Sequence, residues 1–299
     1  MALPGAQAAS TSILFIGNSF TFGEGSAVRF YRADSVTDLN GQGQGGVPAL
    51  FKSFSQQAGL DYQVYLETQP GSGLDWHLVH KRATLGQRPW DSVVMHGFST
   101  LDPNKPGDPS LLIRSVRQMA ELLRQRNPSV ELRLLATWPR ADQTYMPNGA
   151  WAGQPIEAMA RDVRAGYEQA AANLAAKATV VPVGEAWVRA MQTGLADDNP
   201  YDGIAPGKFN LWAKDGYHAS AQGSYLAALV LFGSLSGRDP RSLGAMECSG
   251  FELGFSPAQV QGLQQVAFDQ LAAAGPITPA PRRPSKPAEA VRCLSSRCR

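Results

Sequence analysis

The chain has 299 residues, of which 43% are hydrophobic and 17% are charged, and its formal net charge is +2. This is an ordinary globular composition, and the length suits one large α/β domain. Six Lys and Arg residues but only one Glu lie in residues 281–299, so the rest of the chain is mildly acidic. The charge therefore indicates neither a nucleic-acid partner nor an anionic membrane surface, and no apolar run is long enough for a membrane span.

The first residues of the chain, 1–11, are rich in alanine and other small residues. They resemble neither a strand nor a signal peptide, so we expect a flexible N-terminus. Because such small residues are common around signal-peptide cleavage sites, they favour a secreted or periplasmic protein, with a cytoplasmic one as the alternative.

A short buried strand is predicted over residues 12–17, and it leads directly into Asn18 and Ser19. The carboxyl end of the first parallel strand is where open α/β sheets bind their ligands. Gly17 lets the backbone turn tightly at this point. Ser19 is therefore a candidate nucleophile, and the alternative is that Asn18 and Ser19 only cap a helix.

Apolar runs and helical patterns alternate along most of the chain, which predicts parallel βαβ units. We expect a three-layer α/β/α sandwich with a five-stranded, mainly parallel sheet. The predicted strands are 12–17, 62–67, 91–96, 131–137 and 179–183. The predicted helices are 47–58, 76–85, 109–125, 155–177, 219–236 and 257–274.

One domain is predicted over residues 12–275, with an insertion at residues 22–46 and a tail rich in Pro and Arg at residues 276–299. Long loops within a compact domain are uncommon and often functional. Since the insertion begins directly after the candidate nucleophile, we expect it to border the same cleft.

A second polar motif, Lys214–His218, stands immediately before a helical pattern late in the chain. Within it, Asp215 and His218 are three residues apart in a predicted tight turn. A serine nucleophile needs a histidine base, and the histidine needs an acid that fixes its tautomer. The sequence therefore predicts a triad of Ser19, His218 and Asp215.

Together, Gly17-Asn-Ser-Phe-Thr21 and Asp215-Gly-Tyr-His218 resemble the motifs of the SGNH (GDSL-like) hydrolase superfamily. The resemblance is closest to an uncharacterised branch that has Gly-Asn-Ser-Phe-Thr in place of Gly-Asp-Ser-Leu, and it covers about residues 12–238. It implies a flavodoxin-like α/β/α fold and a serine esterase without metal or cofactor. It also implies Ser19 as nucleophile, His218 as base and Asp215 as its acid.

The resemblance further implies an oxyanion hole built from the serine N–H, a glycine N–H after the second strand and an asparagine after the third. Ser19 and Gly73 match the first two positions. No asparagine follows the third strand, where the chain has His96 and Ser99. Either side chain could donate a hydrogen bond, and each could instead be a packing or capping residue.

Candidate substrate-binding residues border the predicted site, and several are aromatic. They are Asn18, Trp76, Trp138, Tyr145 and Trp212. Aromatic faces with polar neighbours suit sugars, so the expected substrate is a small-molecule or glycan ester, and the expected activity is that of an O-acetyl esterase on acetylated carbohydrate. The alternatives are a catalytically impaired glycan-binding protein, and a lysophospholipase or thioesterase.

No metal site is expected. His77 and His80 stand beside Asp75 without a convincing further ligand, so a polar helix face is the alternative to a metal pair. Cys293 and Cys298 could close a small disulfide loop in an oxidising compartment. Three unremarkable thiols, with Cys248 as the third, are equally compatible with the sequence.

Overall fold

The computed structural model describes residues 10–175 and 178–275. The predicted tail at residues 276–299, with Cys293 and Cys298, lies outside the described residues. The same is true of most of the predicted N-terminal segment.

A six-stranded sheet forms the centre of the molecule, with the strand order β2-β3-β1-β4-β5-β6, and all of its strands pair in parallel. Its strands are β1 (Thr11–Gly17), β2 (Thr37–Asp38), β3 (Tyr62–Thr68), β4 (Ser92–Met95), β5 (Glu131–Ala136) and β6 (Ala178–Pro182). The α/β/α prediction is confirmed, and the count of five strands is corrected to six. The added strand, β2, comes from the predicted insertion and pairs with the edge of β3.

Helices cover both faces of the sheet because alternate residues of its strands point to opposite sides. Ile13 and Phe15 belong to one apolar cluster, whereas Leu14 and Ile16 belong to the other. The first cluster includes residues of α2 (Gly46–Gln57), α8 (Val183–Gln192), α9 (Ala221–Ser236) and α11 (Pro257–Ala274). The second includes residues of α3 (Leu74–His80), α4 (Arg82–Leu85), α5 (Ser110–Arg126) and α7 (Ile156–Ala172).

Two parts of the helix prediction are corrected. The single helix expected over residues 76–85 is divided into α3 and α4 at Lys81, and no helix was predicted at α8, whose first residue, Val183, was predicted to end the fifth strand. Three further short helices complete the α-helices of the described ranges. They are α1 (Ser19–Phe22), α6 (Ala141–Tyr145) and α10 (Cys248–Glu252).

The most apolar long helix, α9, is enclosed by protein, with every residue from Gly223 to Gly233 buried. A helix that is apolar all round is expected where other elements pack on all of its sides. Across the described ranges, no helix has both the length and the apolar character needed to cross a membrane.

Strand β1 is the position at which the chain changes direction across the sheet. The next long strand, β3, pairs on one side of β1, whereas β4 pairs on the other. Ligands of open α/β sheets bind at such a switch point, outside the carboxyl ends of the strands. A functional site is therefore expected in the loops that follow β1, β3 and β4.

Candidate active site

Ser19 begins the one-turn helix α1 directly after β1. The Asn18 side chain caps this turn, with Oδ1 accepting from the Phe20 N–H at 3.1 Å. Ser19 is 5% exposed. Within the described ranges, neither its hydroxyl nor its backbone N–H has a hydrogen-bond partner. Both groups are thus free to bind a ligand.

Asn18 joins three loops rather than facing a ligand. Its Nδ2 donates to the Ser72 carbonyl at 2.9 Å and to the Gly97 carbonyl at 3.4 Å. These carbonyls follow β3 and β4, and the Asn18 side chain is buried between them. Its amide is already used by protein groups, which does not fit the predicted role in substrate binding. It instead holds the loops after β1, β3 and β4 together.

His96 lies beneath the nucleophile turn with both ring nitrogens bonded to the protein. Nε2 is 2.7 Å from the Thr21 hydroxyl, and Nδ1 is 3.0 Å from the Gly97 carbonyl. A carbonyl only accepts, so Nδ1 carries the proton and Nε2 accepts from Thr21. Burial lowers the pKa of His96 to about 4, against the opposing effect of the Gly97 carbonyl. This neutral ring has no free N–H for an oxyanion, so the alternative of a packed histidine is the one that the geometry fits.

The same contact explains the glycine before Asn18. A Cβ on Gly17 would collide with the Thr21 hydroxyl and with the His96 ring. Any other residue at this position would push apart the hydrogen-bonded pair that supports the turn.

Asp215 and His218 form a bonded pair within one loop. Asp215 Oδ2 lies 2.6 Å from His218 Nδ1, and Oδ1 accepts the backbone N–H groups of Tyr217 and His218 at 2.9 Å each. Partial burial raises the pKa of the Asp215 carboxyl, but the hydrogen bonds from the His218 ring and from these N–H groups lower it more. The carboxylate therefore stays ionised, and it fixes the imidazole tautomer with Nε2 unprotonated.

The His218 loop packs against the turn that carries Ser19. The Phe20 ring lies 5.8 Å from the His218 ring and 5.2 Å from the Tyr217 ring, measured between centroids. Two motifs far apart in the chain thus meet. No hydrogen bond joins Ser19 to His218 among the described residues, and such bonds are often long before substrate binds.

Trp138 and Trp212 are buried, each with 1% of its surface exposed. Two rings stack on the Trp138 indole: the Phe20 ring with its centroid 4.1 Å away, and the Trp187 ring with its centroid 4.9 Å away. Aromatic rings therefore cover this indole. Its Nε1 donates to the Tyr217 carbonyl at 3.2 Å, and Trp212 Nε1 donates to the Pro139 carbonyl at 2.9 Å. Neither indole can stack on a sugar, and the two predicted binding roles are corrected to support of the His218 loop.

Trp76 and Tyr145 retain accessible surface, unlike the other aromatic candidates. Trp76 stacks on His80 with ring centroids 4.5 Å apart. The Tyr145 hydroxyl donates to the Asp198 carbonyl at 2.8 Å. These two rings are the aromatic candidates that can still contact a ligand.

Gly73 precedes α3, in the loop that follows β3, and its N–H has no partner within the described ranges. A Cβ here would lie 2.5 Å from the Phe98 ring and 2.6 Å from Asp75 Oδ1, so a side chain would displace its neighbours. A small open cleft lies beside this residue, lined by Gly73, Asp75, Gly97, Phe98 and Leu112 among others.

Arg140 is a polar neighbour that sequence reasoning missed. Its Nη1 donates to Ser99 Oγ at 3.3 Å, while Nε and Nη2 bond both oxygens of Asp142 at 2.9 and 2.5 Å. The guanidinium also lies 3.7 Å above the Tyr217 ring. Because a guanidinium only donates, the Ser99 hydroxyl accepts from it and keeps its own proton for another acceptor. An arginine four residues after the end of β5 was the available signal.

His77 is completely buried and bonded to Glu67, so it lies neither on a polar helix face nor beside His80 in a metal pair. Among the described residues, no group of three or more His, Cys, Asp and Glu side chains is placed to hold a metal ion.

The predicted insertion contacts the site at its beginning. A Cβ on Gly25 would lie 4.0 Å from His218 Cβ and 3.5 Å from Ala213 Cβ. Further along, Asp38 orders the glycine-rich stretch by accepting the backbone N–H groups of Asn40, Gln42 and Gln44.

No model of a protein family and no curated protein sequence matches this chain. Solved structures do resemble it. A DUF4886 family protein from Bacteroides uniformis shares 17% identity and a TM-score of 0.61, over 90% of this chain and 98% of its own.

Two further structures carry the SGNH or GDSL-like description. A protein from Slackia heliotrinireducens assigned as an SGNH hydrolase shares 23% identity and a TM-score of 0.51, over 76% of this chain and 100% of its own. A protein from Parabacteroides merdae assigned as a GDSL-like lipase shares 15% identity and a TM-score of 0.52, over 76% of this chain and 96% of its own.

Proposed function

The chain has the fold of the SGNH hydrolases, and on that premise we propose that it is a serine esterase in which Ser19, His218 and Asp215 form the triad. One observation carries the proposal. The bonded pair of Asp215 and His218 packs against the helical turn that begins with Ser19, whose hydroxyl is free.

In the proposed reaction, Ser19 Oγ bonds to the ester carbonyl carbon while His218 Nε2 takes the hydroxyl proton. The carbonyl π bond opens to an oxyanion. Its collapse breaks the bond to the alcohol, which leaves with the proton from His218. Water then hydrolyses the acyl-enzyme with the same base, releasing the carboxylic acid and restoring Ser19.

The oxyanion hole would use the N–H groups of Ser19 and Gly73 and the Ser99 hydroxyl. Donors that are already oriented before reaction stabilise the developing charge more than mobile ones do. Both N–H groups are without a protein acceptor among the described residues. Arg140 donates to Ser99 Oγ and thereby leaves the hydroxyl proton free for the oxyanion. No metal or cofactor takes part in these steps.

The proposed substrate is an O-acetylated carbohydrate. The cleft beside Gly73 is small and its lining includes Phe98 and Leu112, which suits a short acyl group. Trp76 and Tyr145 supply accessible aromatic surface, and Asp75 a carboxylate near the cleft, for a sugar as leaving alcohol. Because Trp138 and Trp212 are buried, part of the aromatic surface expected from the sequence is not accessible. Fewer observations therefore support the sugar than support the short acyl group.

Two other functions make different predictions. A lysophospholipase or thioesterase would prefer long acyl chains or acyl thioesters, and a glycan-binding protein without turnover would hydrolyse neither. The unliganded oxyanion donors and the bonded Asp215 and His218 favour turnover, since binding alone needs none of these groups.

The test is hydrolysis of 4-nitrophenyl esters from acetate to dodecanoate, together with acetate release from acetylated oligosaccharides. We expect acetate to be hydrolysed fastest, little activity beyond butanoate, and release of acetate from the oligosaccharide. The Ser19→Ala variant gives the background. A preference for dodecanoate or for an acyl thioester would contradict the proposed substrate, and no turnover of any ester would contradict the proposed enzyme.

A further inference from the structure

A second array of serine, histidine and acid lies beside the proposed oxyanion hole and takes no part in the mechanism above. Its members are Glu67 near the end of β3, Ser72 in the loop that follows, and His77 on α3. Glu67 and His77 are 0% exposed and Ser72 is 5% exposed. Buried charged groups are costly unless paired, so this array needs an explanation.

The positions of its protons are assigned here from the acceptors that each atom faces. The Ser72 hydroxyl donates its one proton to the Gln69 carbonyl at 2.9 Å, so it can only accept from His77 Nε2, which is 3.1 Å away. His77 Nδ1 faces a Glu67 carboxylate oxygen, which also accepts. This assignment gives a proton to both ring nitrogens and makes His77 an imidazolium paired with the Glu67 carboxylate.

This protonation state excludes a second nucleophile. A base must have a free lone pair to accept the serine proton, and the His77 ring has none. Ser72 also gives its proton to a backbone carbonyl rather than to the ring. The order of residues imitates a triad, but the array cannot perform acyl transfer.

What the array does hold is the peptide unit between Ser72 and Gly73. The Ser72 side chain is bonded to His77 and to the Gln69 carbonyl, and its own carbonyl accepts from Asn18 Nδ2. In a trans peptide the N–H points opposite to the C=O. The bond from Asn18 thus turns the Gly73 N–H away from Asn18 and leaves it open to a ligand.

We propose that His77, charged and paired with Glu67, is a positioning residue that holds the Ser72–Gly73 peptide so that the Gly73 N–H can bind the oxyanion. The role rests on the proposed ester hydrolysis. It assigns a function to two buried residues that touch neither substrate nor triad.

Further hydrogen bonds surround the Glu67 carboxylate. Asn40 Nδ2 donates to the other Glu67 oxygen at 3.2 Å and to the Thr68 carbonyl at 2.7 Å, while Lys81 Nζ donates to Asn40 Oδ1 at 2.7 Å. The predicted insertion therefore supplies one donor to the carboxylate, the Asn40 amide.

The protonation state can be measured without any assay of activity. The chain has four histidines, so ¹⁵N-histidine labelling and NMR at neutral pH give few signals, each assignable with a His→Gln variant. We expect His77 to show two slowly exchanging ring N–H protons and two ring ¹⁵N chemical shifts typical of protonated nitrogens. A single ring N–H proton would show that His77 is not an imidazolium, whatever substrate the enzyme hydrolyses.

The positioning role is tested with His77→Gln, with His80→Gln on the same helix as the matched control. We expect kcat on 4-nitrophenyl acetate to fall about tenfold or more for His77→Gln, with KM unchanged within about twofold, because one transition-state donor is misplaced rather than removed. His80→Gln should retain wild-type kcat, since His80 is exposed. Wild-type kcat for a folded His77→Gln variant would overturn the proposal.

His77→Gln leaves the Glu67 carboxylate buried without its cation, so the double variant Glu67→Gln/His77→Gln, which removes both charges, is the second test. The two amides can bond to each other, but one amide cannot reach both Ser72 and residue 67 as the imidazole ring does. The double variant should fold and show the same split between kcat and KM, and wild-type kcat would overturn the role. If Ser19→Ala keeps wild-type activity, the proposed esterase fails while the NMR result still stands.

Discussion

The Asn18 side-chain amide lies 2.9 Å from the Ser72 carbonyl oxygen, so the residue before the proposed nucleophile is bonded to the residue before Gly73. One side chain thereby fixes the separation of two proposed oxyanion donors, the N–H groups of Ser19 and Gly73. The same amide reaches the Gly97 carbonyl at 3.4 Å and adds the loop after β4. In this arrangement Asn18 organises the site without contacting substrate.

Asn18→Ala should lower kcat about tenfold or more with KM unchanged within about twofold, because small misplacements of reacting groups are costly in rate. Steady-state kinetics on 4-nitrophenyl acetate measures this, with the exposed Asn173→Ala as the control. A raised KM with unchanged kcat would instead support the role in substrate binding that the sequence predicted.

Asp215→Asn should lower kcat by about 10²- to 10⁴-fold, because the amide no longer stabilises an imidazolium or fixes the His218 tautomer. The unfolding midpoint should change little, since the Asp215 side chain is 46% exposed. Asp202→Asn, on another exposed loop carboxylate, is the control and should retain wild-type kcat. Equal activity of the two variants would remove Asp215 from the triad.

Ser99→Ala should lower kcat about 10²-fold, the usual effect of removing one oxyanion donor. Arg140 then loses its hydroxyl acceptor at 3.3 Å but keeps both bonds to Asp142, so we expect the fold to be unaffected. Thermal unfolding and kinetics check the two statements, with the exposed Ser129→Ala as the control. Unchanged kcat would mean that the hole has only its two backbone donors.

His96 should make stability depend on pH. Its folded pKa of about 4 lies below the ordinary 6.5, so the unfolded state binds more protons between these values. The contribution of the neutral ring is therefore present above about pH 6.5 and is lost as the pH falls towards 4, amounting to about 3 kcal/mol.

Chemical denaturation at pH 7 and pH 4 measures this contribution. In His96→Gln the amide can still donate to the Gly97 carbonyl and accept from Thr21, so the variant should fold and lose less stability on acidification than the wild type. His80→Gln should behave like the wild type because its ring is exposed. The same pH dependence in all three proteins would contradict a neutral buried His96.

The layered fold could be predicted because its information is local. Strands of a parallel sheet are buried on both faces and appear as apolar runs, as in β1 and β4. The helical spacing of Val183, Ala186, Trp187 and Ala190 was present as well, and α8 was missed only because the strand before it is equally apolar. In contrast, β2 has two residues and no periodicity, and it exists because the edge of β3 is there to pair with.

Side-chain surroundings were harder to predict because they depend on contacts between distant segments. Trp138 has the same local sequence whether its ring faces solvent or lies between Phe20 and Trp187. His77 stood on a helix with polar neighbours, and its burial follows from Glu67 in β3. The signal that could have indicated this was a glutamate in an apolar strand, because a buried carboxylate requires a partner.

Covalent labelling by a fluorophosphonate, followed by intact-mass analysis and peptide mapping, identifies the nucleophile, which we propose to be Ser19. We expect one adduct per chain, on Ser19, formed in parallel with the loss of hydrolysis of 4-nitrophenyl acetate. Ser19→Ala should form no adduct and retain only background hydrolysis, whereas the exposed Ser242→Ala should behave like the wild type. An adduct on another residue that accompanies inactivation, or near wild-type hydrolysis by Ser19→Ala, would contradict the account.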